Sequence, residues 1–437
     1  MNAVTADIAA VADDGPAPVS NAYRNYVLFV IAFVGFMCAV DKIVISMFME
    51  AIKKDFSLSD TQLGALTGLA FATMFAIAAV PLARIADRGN RKWIINGCLV
   101  AWTLFTAASG AAANFVQLVI ARVGVGIGEA GCVPASHSML GDYFSRETRP
   151  HALAVHMSGS YLGMLGGMLG GGILLQTVGW RAGFIWLGVI GLVLAAVVHF
   201  TVREPQRTHP ETLADKPGIH VGNSQKGMLA QLGDMRAFCW LVLAFSTTSL
   251  AGSSIMVWLP SYFERAFALT PIQIGLGLGL CLGVATAIGG ITGGRLAVRK
   301  AAGSMSWGAK FASLVTVVVM PFFLGSFYAP SPVLAFVLLF CAFGTAGMIM
   351  GPVFSTLQDL VAPEARATAV ALVSFFAVMV GQGLGPLVVG AISDALDTGV
   401  AGAGSLRSAM TIVACVNFLT ILAFWQLKRR IDVLQSR

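Results

Sequence analysis

Charge is scarce in this chain. Only 11% of its 437 residues are charged and 57% are hydrophobic, where an average soluble protein carries roughly a quarter charged residues. Mean hydropathy is +0.80. A soluble globule of this make-up would have too little polar surface to cover itself, which excludes a disordered chain, a secreted disulfide scaffold and a cytosolic enzyme. Chemistry-bearing patterns are missing too. There is no CxxC, no Cys/His cluster with metal spacing, no Walker A, no HExxH and no nucleophile elbow. Nothing here argues for an enzyme, a metal site or an ATP-driven pump, and no cofactor is expected. The scattered cysteines read as small buried hydrophobes. A secretory signal is lacking as well. Asp7, Asp13, Asp14, Pro16 and Pro18 interrupt the start of the chain, so residues 1–22 are expected to form a mobile cytoplasmic tail.

What the chain does have is apolar runs long enough to cross a bilayer, about 17–25 residues each. Twelve occur, near 25–48, 63–83, 93–113, 115–140, 151–177, 183–202, 237–262, 273–297, 307–327, 332–358, 367–393 and 405–427. The fold class expected is an all-α membrane protein with two six-helix bundles, 23–202 and 237–428. A cytoplasmic linker, 203–236, joins them, and 429–437 forms a second tail. Basic residues set the orientation. Arg84, Arg88, Arg91 and Lys92, then Arg295, Arg299 and Lys300, then Lys428, Arg429 and Arg430 all fall on the side of the termini. The other side holds only Lys53, Lys54, Arg181, Arg265 and Arg407. Both termini are therefore expected in the cytoplasm. The same asymmetry accounts for the net charge of +7 without invoking nucleic acid.

The two halves repeat. Leu58-Ser-Asp-Thr-Gln-Leu-Gly64 aligns with Leu269-Thr-Pro-Ile-Gln-Ile-Gly275 at an offset of 211, and Ala83–Arg88 aligns with Gly294–Arg299 at the same offset. Near an offset of 218, Gly163, Gly167 and Gly172 fall on Gly381, Gly385 and Gly390. A six-span repeat of one sense is the layout of a two-lobed transporter with its site between the lobes. The loop Ala83-x-x-x-Asp87-Arg88-x-Asn90-Arg91-Lys92 resembles the G-x-x-x-D-R-x-G-R-K signature of the major facilitator superfamily. Ala83 and Asn90 stand where that signature has glycine, and Val298 replaces the acid in the second copy.

Ionisable residues inside spans are costly and are functional candidates by default. Asp41 and Lys42 lie in span 1, Arg122 and Glu129 in span 4. Asp41 and Arg122 each sit about 10 Å below one membrane edge, at 1.5 Å per residue, so a pair is geometrically open. Glu129 follows Arg122 by seven residues on one helix face. The functional reading makes Asp41 and Glu129 exchangeable proton sites, with Arg122 switching partners or holding an anionic headgroup. The bland alternative is a fixed ion-pair network that specifies helix packing. Lys42 points about 100° from Asp41 and reads as structural or substrate-facing. Further cavity candidates are His156, Tyr161, Thr248, Ser254, Trp258 and Gln358. His137 and His156 read more readily as hydrogen-bonded packing than as a relay. Spans 7 and 10 carry no charge, so one cavity wall is expected to be charged and the other apolar with hydroxyls, a pattern suited to an amphiphile. Gly126-Ile-Gly128-Glu-Ala-Gly131 formally matches a nucleotide-binding fingerprint, but inside a span it reads as close helix approach.

Arg122-Val-Gly-Val-Gly-Ile-Gly-Glu129-Ala130, Asp142-Tyr143-Phe144 and Asp41-Lys42 resemble the Spinster family within that superfamily. The resemblance implies a lysophospholipid- or sphingolipid-like substrate and coupling through Asp41, Arg122 and Glu129. It also implies a cytoplasmic gate of Asp87, Arg88, Arg91 and Asp142, in which Asp87 faces the N-terminus of span 11 while Arg91 pairs with Asp142. Gly163-x-x-x-Gly167-Met168-x-x-Gly171-Gly172 resembles the superfamily's antiporter motif, with Met168 in place of its proline. The expectation is a monomeric, proton-gradient-driven transporter of the bacterial inner membrane, moving an amphiphile by alternating access. Runners-up are a symporter of an organic carboxylate or sugar acid, a multidrug/proton antiporter and a non-transporting receptor or scaffold.

Overall fold

The computed structural model describes residues 20–145, 147–205, 234–300, 305–362, 365–397 and 403–436, with the side chains of Asp87, Arg88, Lys300 and Ala367 outside the description. Among the described residues, 12 helices are long and apolar enough to span a membrane. They are α1 Asn21–Phe56, α2 Asp60–Ala86, α3 Arg91–Ala111, α4 Phe115–Tyr143, α5 Arg149–Thr177, α6 Gly179–Thr201, α7 Met235–Phe267, α8 Pro271–Arg299, α9 Trp307–Phe327, α10 Pro332–Leu360, α11 Thr368–Ala395 and α12 Gly404–Gln435. An even number of crossings puts the first and last helices' free ends on one face, here called the termini face.

Local chemistry explains the helix ends. Ser59 and Thr270 each build a capping box, with Gln62 and Gln273 returning a hydrogen bond to the cap backbone. This is the pair of matching segments expected from the internal repeat. Helix α4 breaks at Gly131, where Pro134 cannot donate to the Ala130 carbonyl. Helix α1 is longer than its apolar core, and α12 continues to Gln435. The stretch expected as a C-terminal tail is thus helical through Gln435. The reason is ionic: Lys428 pairs with Asp432 one turn on, and Arg430 pairs with Asp234, the N-cap of α7. Hydrogen bonds from Arg430 hold the Asp234 carboxyl at about 2, below the usual carboxylate range. The expected linker is described only at its ends, and residues 206–233 lie outside the described residues, as do residues 1–19 of the N-terminal tail.

Glycines set how closely the helices approach. A Cβ at Gly159 or Gly163 would strike the α1 backbone at Ala32 or Phe36, so α5 lies flush against α1. Between the lobes the same device recurs. Gly275 of α8 abuts the Met168 backbone of α5, and Gly64 of α2 abuts Pro386 of α11. Three helices at this seam contain π-helical turns: Ala65–Leu69 in α2, Leu280–Ala285 in α8 and Ala377–Leu384 in α11. Such turns concentrate at functional sites because they re-aim side chains within an otherwise regular helix.

Candidate functional site

The intramembrane charges meet in the first lobe, paired as a ladder. Arg122 lies 3.4 Å from Asp41, and Thr106 donates to the other Asp41 oxygen at 2.7 Å. Lys42, expected to stand apart, instead crosses to Glu129 at 3.4 Å. Its 100° offset from Asp41 is what lets it reach the second acid. Cys38, read as a simple hydrophobe, donates its thiol to the same Glu129 oxygen at 3.4 Å. The other Glu129 oxygen and the Arg122 Nε are buried without a hydrogen-bond partner among the described residues. Asp41, Arg122 and Glu129 are 3%, 1% and 0% exposed. Aromatic faces support the cations: Lys42 Nζ sits 4.7 Å from the Phe75 ring centre and Arg122 sits 5.7 Å from that of Phe71.

Lys42 and Arg122 face a cavity of about 240 Å³ between the lobes. Its first-lobe wall also includes Cys38, Thr67, Phe71 and Ser160, while the second lobe supplies Ser253, Met256, Val257 and Gln382. One wall is charged and the other carries none, the asymmetry expected from spans 7 and 10. A second cavity of about 560 Å³ opens between α5 and α8, lined by Tyr161, Leu165, Gly290, Met350 and other mostly apolar residues.

The expected cavity residues divide. Tyr161 lines the larger cavity, and His156 is buried beside the central one. Trp258 is fully buried and donates to the Pro386 carbonyl, fastening α7 to α11. Ser254 and Thr248 turn back to the Leu250 and Ala244 carbonyls of their own helix. Gln358 is exposed, and its carbonyl accepts from Arg366. These four line neither cavity. Within apolar helices, hydroxyls and indoles find backbone acceptors before they find a cavity.

At the gate, Arg91 does pair with Asp142, and it also holds Glu204 at 2.8 Å and the Ser138 carbonyl. This cluster lies inside one lobe. It staples the start of the linker, which Tyr143 and Tyr23 also grip at Arg203. The side chains of Asp87 and Arg88 lie outside the described residues. Replacing Arg91 by alanine removes the cation that two acids share and is expected to cost about 3 kcal/mol of stability. Thermal unfolding of the purified protein followed by tryptophan fluorescence checks this, and an unchanged midpoint would contradict it.

The opposite face holds a cluster that sequence reasoning missed. Arg265 of α7 binds Asp60 with two nitrogens at 2.7 Å each and Glu50 at 2.7 Å. Lys53 and Ser393 complete the Asp60 carboxylate at 2.5 and 2.8 Å. Asp394 of α11 accepts from the Asp60 and Thr61 backbone amides at 2.9 and 2.7 Å. A carboxylate thus crosses the lobe boundary to cap the α2 N-terminus. Lys54 and Glu264 add a further crossing pair at 3.2 Å. The lobes are latched at this face, and the larger cavity opens on the other side of the seam.

A family model described as the Major Facilitator Superfamily matches residues 31–386. The chain belongs to this superfamily. It is an integral, multi-pass membrane protein of a family of transporters. An MFS-type efflux pump of Mycolicibacterium smegmatis is 32% identical over 396 residues, covering 91% of this chain and 90% of that protein. The sphingosine-1-phosphate transporter SPNS2 of Xenopus tropicalis is 27% identical, covering 90% of this chain and 80% of that one. A solved bacterial homolog of the human lysosomal transporter Spinster, in an inward-facing and unoccupied conformation, aligns with a TM-score of 0.85. It is 26% identical and covers 96% of this chain and 99% of its own. The Spinster resemblance seen in spans 1 and 4 therefore extends along the whole chain.

Proposed function

We propose that this transporter works by proton-coupled alternating access on an amphiphile with an anionic headgroup, with both termini cytoplasmic. The observation that carries the reading is the two-faced central cavity: Lys42 and Arg122 on one wall, hydroxyl, thioether and amide groups on the other. A headgroup docks against the cations, and its chain extends along the apolar wall toward α5 and α8. Because each cation is already paired with an acid, an arriving anion competes with Asp41 or Glu129 for it. The displaced carboxylate, dry and without its cation, takes up a proton. Substrate and proton are thereby linked at one site. With the termini in the cytoplasm the latched face is extracellular, which agrees with the inward-facing state of the solved Spinster homolog.

A second reading, the same coupling with a small organic acid as cargo, draws support from the two cations and from a probable L-galactonate transporter of Escherichia coli, 28% identical over 257 residues. Competition separates the two. With a fluorescent lysophosphatidic acid bound to the detergent-free protein in nanodiscs, unlabelled lysophospholipid is expected to displace it and galactonate is not. Displacement by galactonate at similar concentration would overturn the amphiphile reading in favour of the acid.

A further inference from the structure

His137 of α4 and His156 of α5 meet edge-on, with ring centres 5.1 Å apart and planes at 85°. Each ring keeps one nitrogen unpaired, although His156 also hydrogen-bonds the Ile31 backbone. His156 is 2% exposed, yet its Nδ1 and the Nε2 of His137 are buried without a hydrogen-bond partner among the described residues. The His156 ring lies against Gly35 of α1, where a Cβ would come within 2.9 Å of its Cε1, so the glycine makes room for the imidazole. Gly35, Cys38 and Val133 all line the central cavity. On α4, Glu129, Val133 and His137 follow at four-residue intervals along one face. The pair thus lies just behind Gly35 and Val133, beside the cavity on the side of the termini.

We infer that His137 and His156 are the proton station between the termini face and Glu129. The inference rests on the proton-coupled reading above. Imidazole is the side chain that exchanges protons near neutral pH, and it can accept at one nitrogen while releasing from the other. A proton arriving from the termini face forms an imidazolium, which hands it through cavity water to the Glu129 carboxylate and returns to the neutral state. Water is needed because eight residues of helix separate His137 from Glu129, roughly 12 Å. The cavity, largely apolar but with Lys42, Arg122, Ser160 and Gln382 on its walls, has room for several molecules. The facing residues of α1, Ile31, Ala32 and Gly35, do not titrate. Toward Glu129 the ionisable groups on the three helices are Cys132, Cys38, Tyr161 and Lys42, which pairs with Glu129 itself. Toward the termini they are Asp142, Tyr143, Arg149, His151, Tyr23, Arg24 and Tyr26. Arg91 binds Asp142, and Arg149 donates to the Gly141 carbonyl, so both are committed elsewhere.

The test follows Glu129 itself, with lysophosphatidic acid saturating the site so that Lys42 is drawn from the carboxylate. In the full-length protein in nanodiscs, a rapid pH drop from about 8 to about 6 spans the imidazole range. The carboxylic C=O infrared band that Glu129→Gln removes reports its protonation. His137→Ala and His156→Ala are expected to slow that band's appearance by about 100-fold, the scale of a lost general acid–base group, without changing its final amplitude. Free imidazole in the buffer is expected to restore the rate. An unchanged rate in both variants, or a slowing that imidazole does not relieve, would overturn the station and leave Glu129 coupling standing. Wild-type protein showing no such band would remove the coupling reading and the station together.

Discussion

Replacing Arg265 with alanine is expected to open the molecule at the face away from the termini. Arg265 is the cation on which Glu50 and Asp60 converge across the lobe boundary. Without it, two nearly buried carboxylates confront each other with Lys53 alone beside them. Stranding charge in this way costs about 3–5 kcal/mol. Because the lobes can separate here, the molecule can escape that cost by exposing both acids to water. A bias of that size shifts a two-state equilibrium by two orders of magnitude or more. Spin-label distances across both faces should show the latched face widening and the termini face narrowing. Arg265→Lys, which keeps the charge but not the two-pronged grip on Asp60, should fall between. Distances unchanged in Arg265→Ala would show that the lobes are held here without Arg265, by the Asp394 cap, the Lys54–Glu264 pair and the apolar contact along α5–α8 and α2–α11.

Removing Arg122 is expected to abolish transport, at least about 100-fold, and here a second substitution separates function from packing. Arg122 has almost no exposure and binds Asp41. Arg122→Gln alone leaves Asp41 buried with Thr106 as its remaining partner, so stability should fall by about 3 kcal/mol. Adding Asp41→Asn removes the stranded charge and should recover most of that loss. If the pair only fixed helix packing, the double variant would regain transport together with stability. If Arg122 trades its acid for an anionic substrate, the double variant stays inactive. Thermal midpoints and flux measured on the wild type, Arg122→Gln, Asp41→Asn and the double variant decide between these outcomes.

Much of this was legible in the sequence because the bilayer simplifies the physics. Where water is absent, every charge stands out, so Asp41, Lys42, Arg122 and Glu129 could be read from scarcity alone. The repeat was legible for a similar reason: Ser59 and Thr270 cap helices at equivalent places, and caps need particular residues. Partner choice was less legible. Lys42 reaches Glu129 because of helix rotation, which spacing gives only to within a turn. Cys38 was hidden by being small and apolar in most settings. Gln382 had a visible signal, since it is the one amide in an otherwise apolar span 11, but its route into the cavity depends on the π-helical turns of Ala377–Leu384. The latch was hardest to see. Glu50, Asp60, Arg265 and Asp394 sit at span ends where charge is ordinary, and their meeting joins residues up to 334 apart. Trp258 and Ser254 misled in the opposite direction, because both turn their polar groups to backbone carbonyls away from the cavity.

In the proposed mechanism the Glu129 carboxylate links the proton gradient to substrate movement. Proteoliposomes loaded with a fluorescent lysophospholipid and given an imposed pH gradient test it most directly. Wild-type flux should rise with the gradient. Glu129→Gln should keep gradient-independent exchange while losing the response to pH. Wild-type flux indifferent to the gradient, or a Glu129→Gln variant that follows it as the wild type does, would contradict the account.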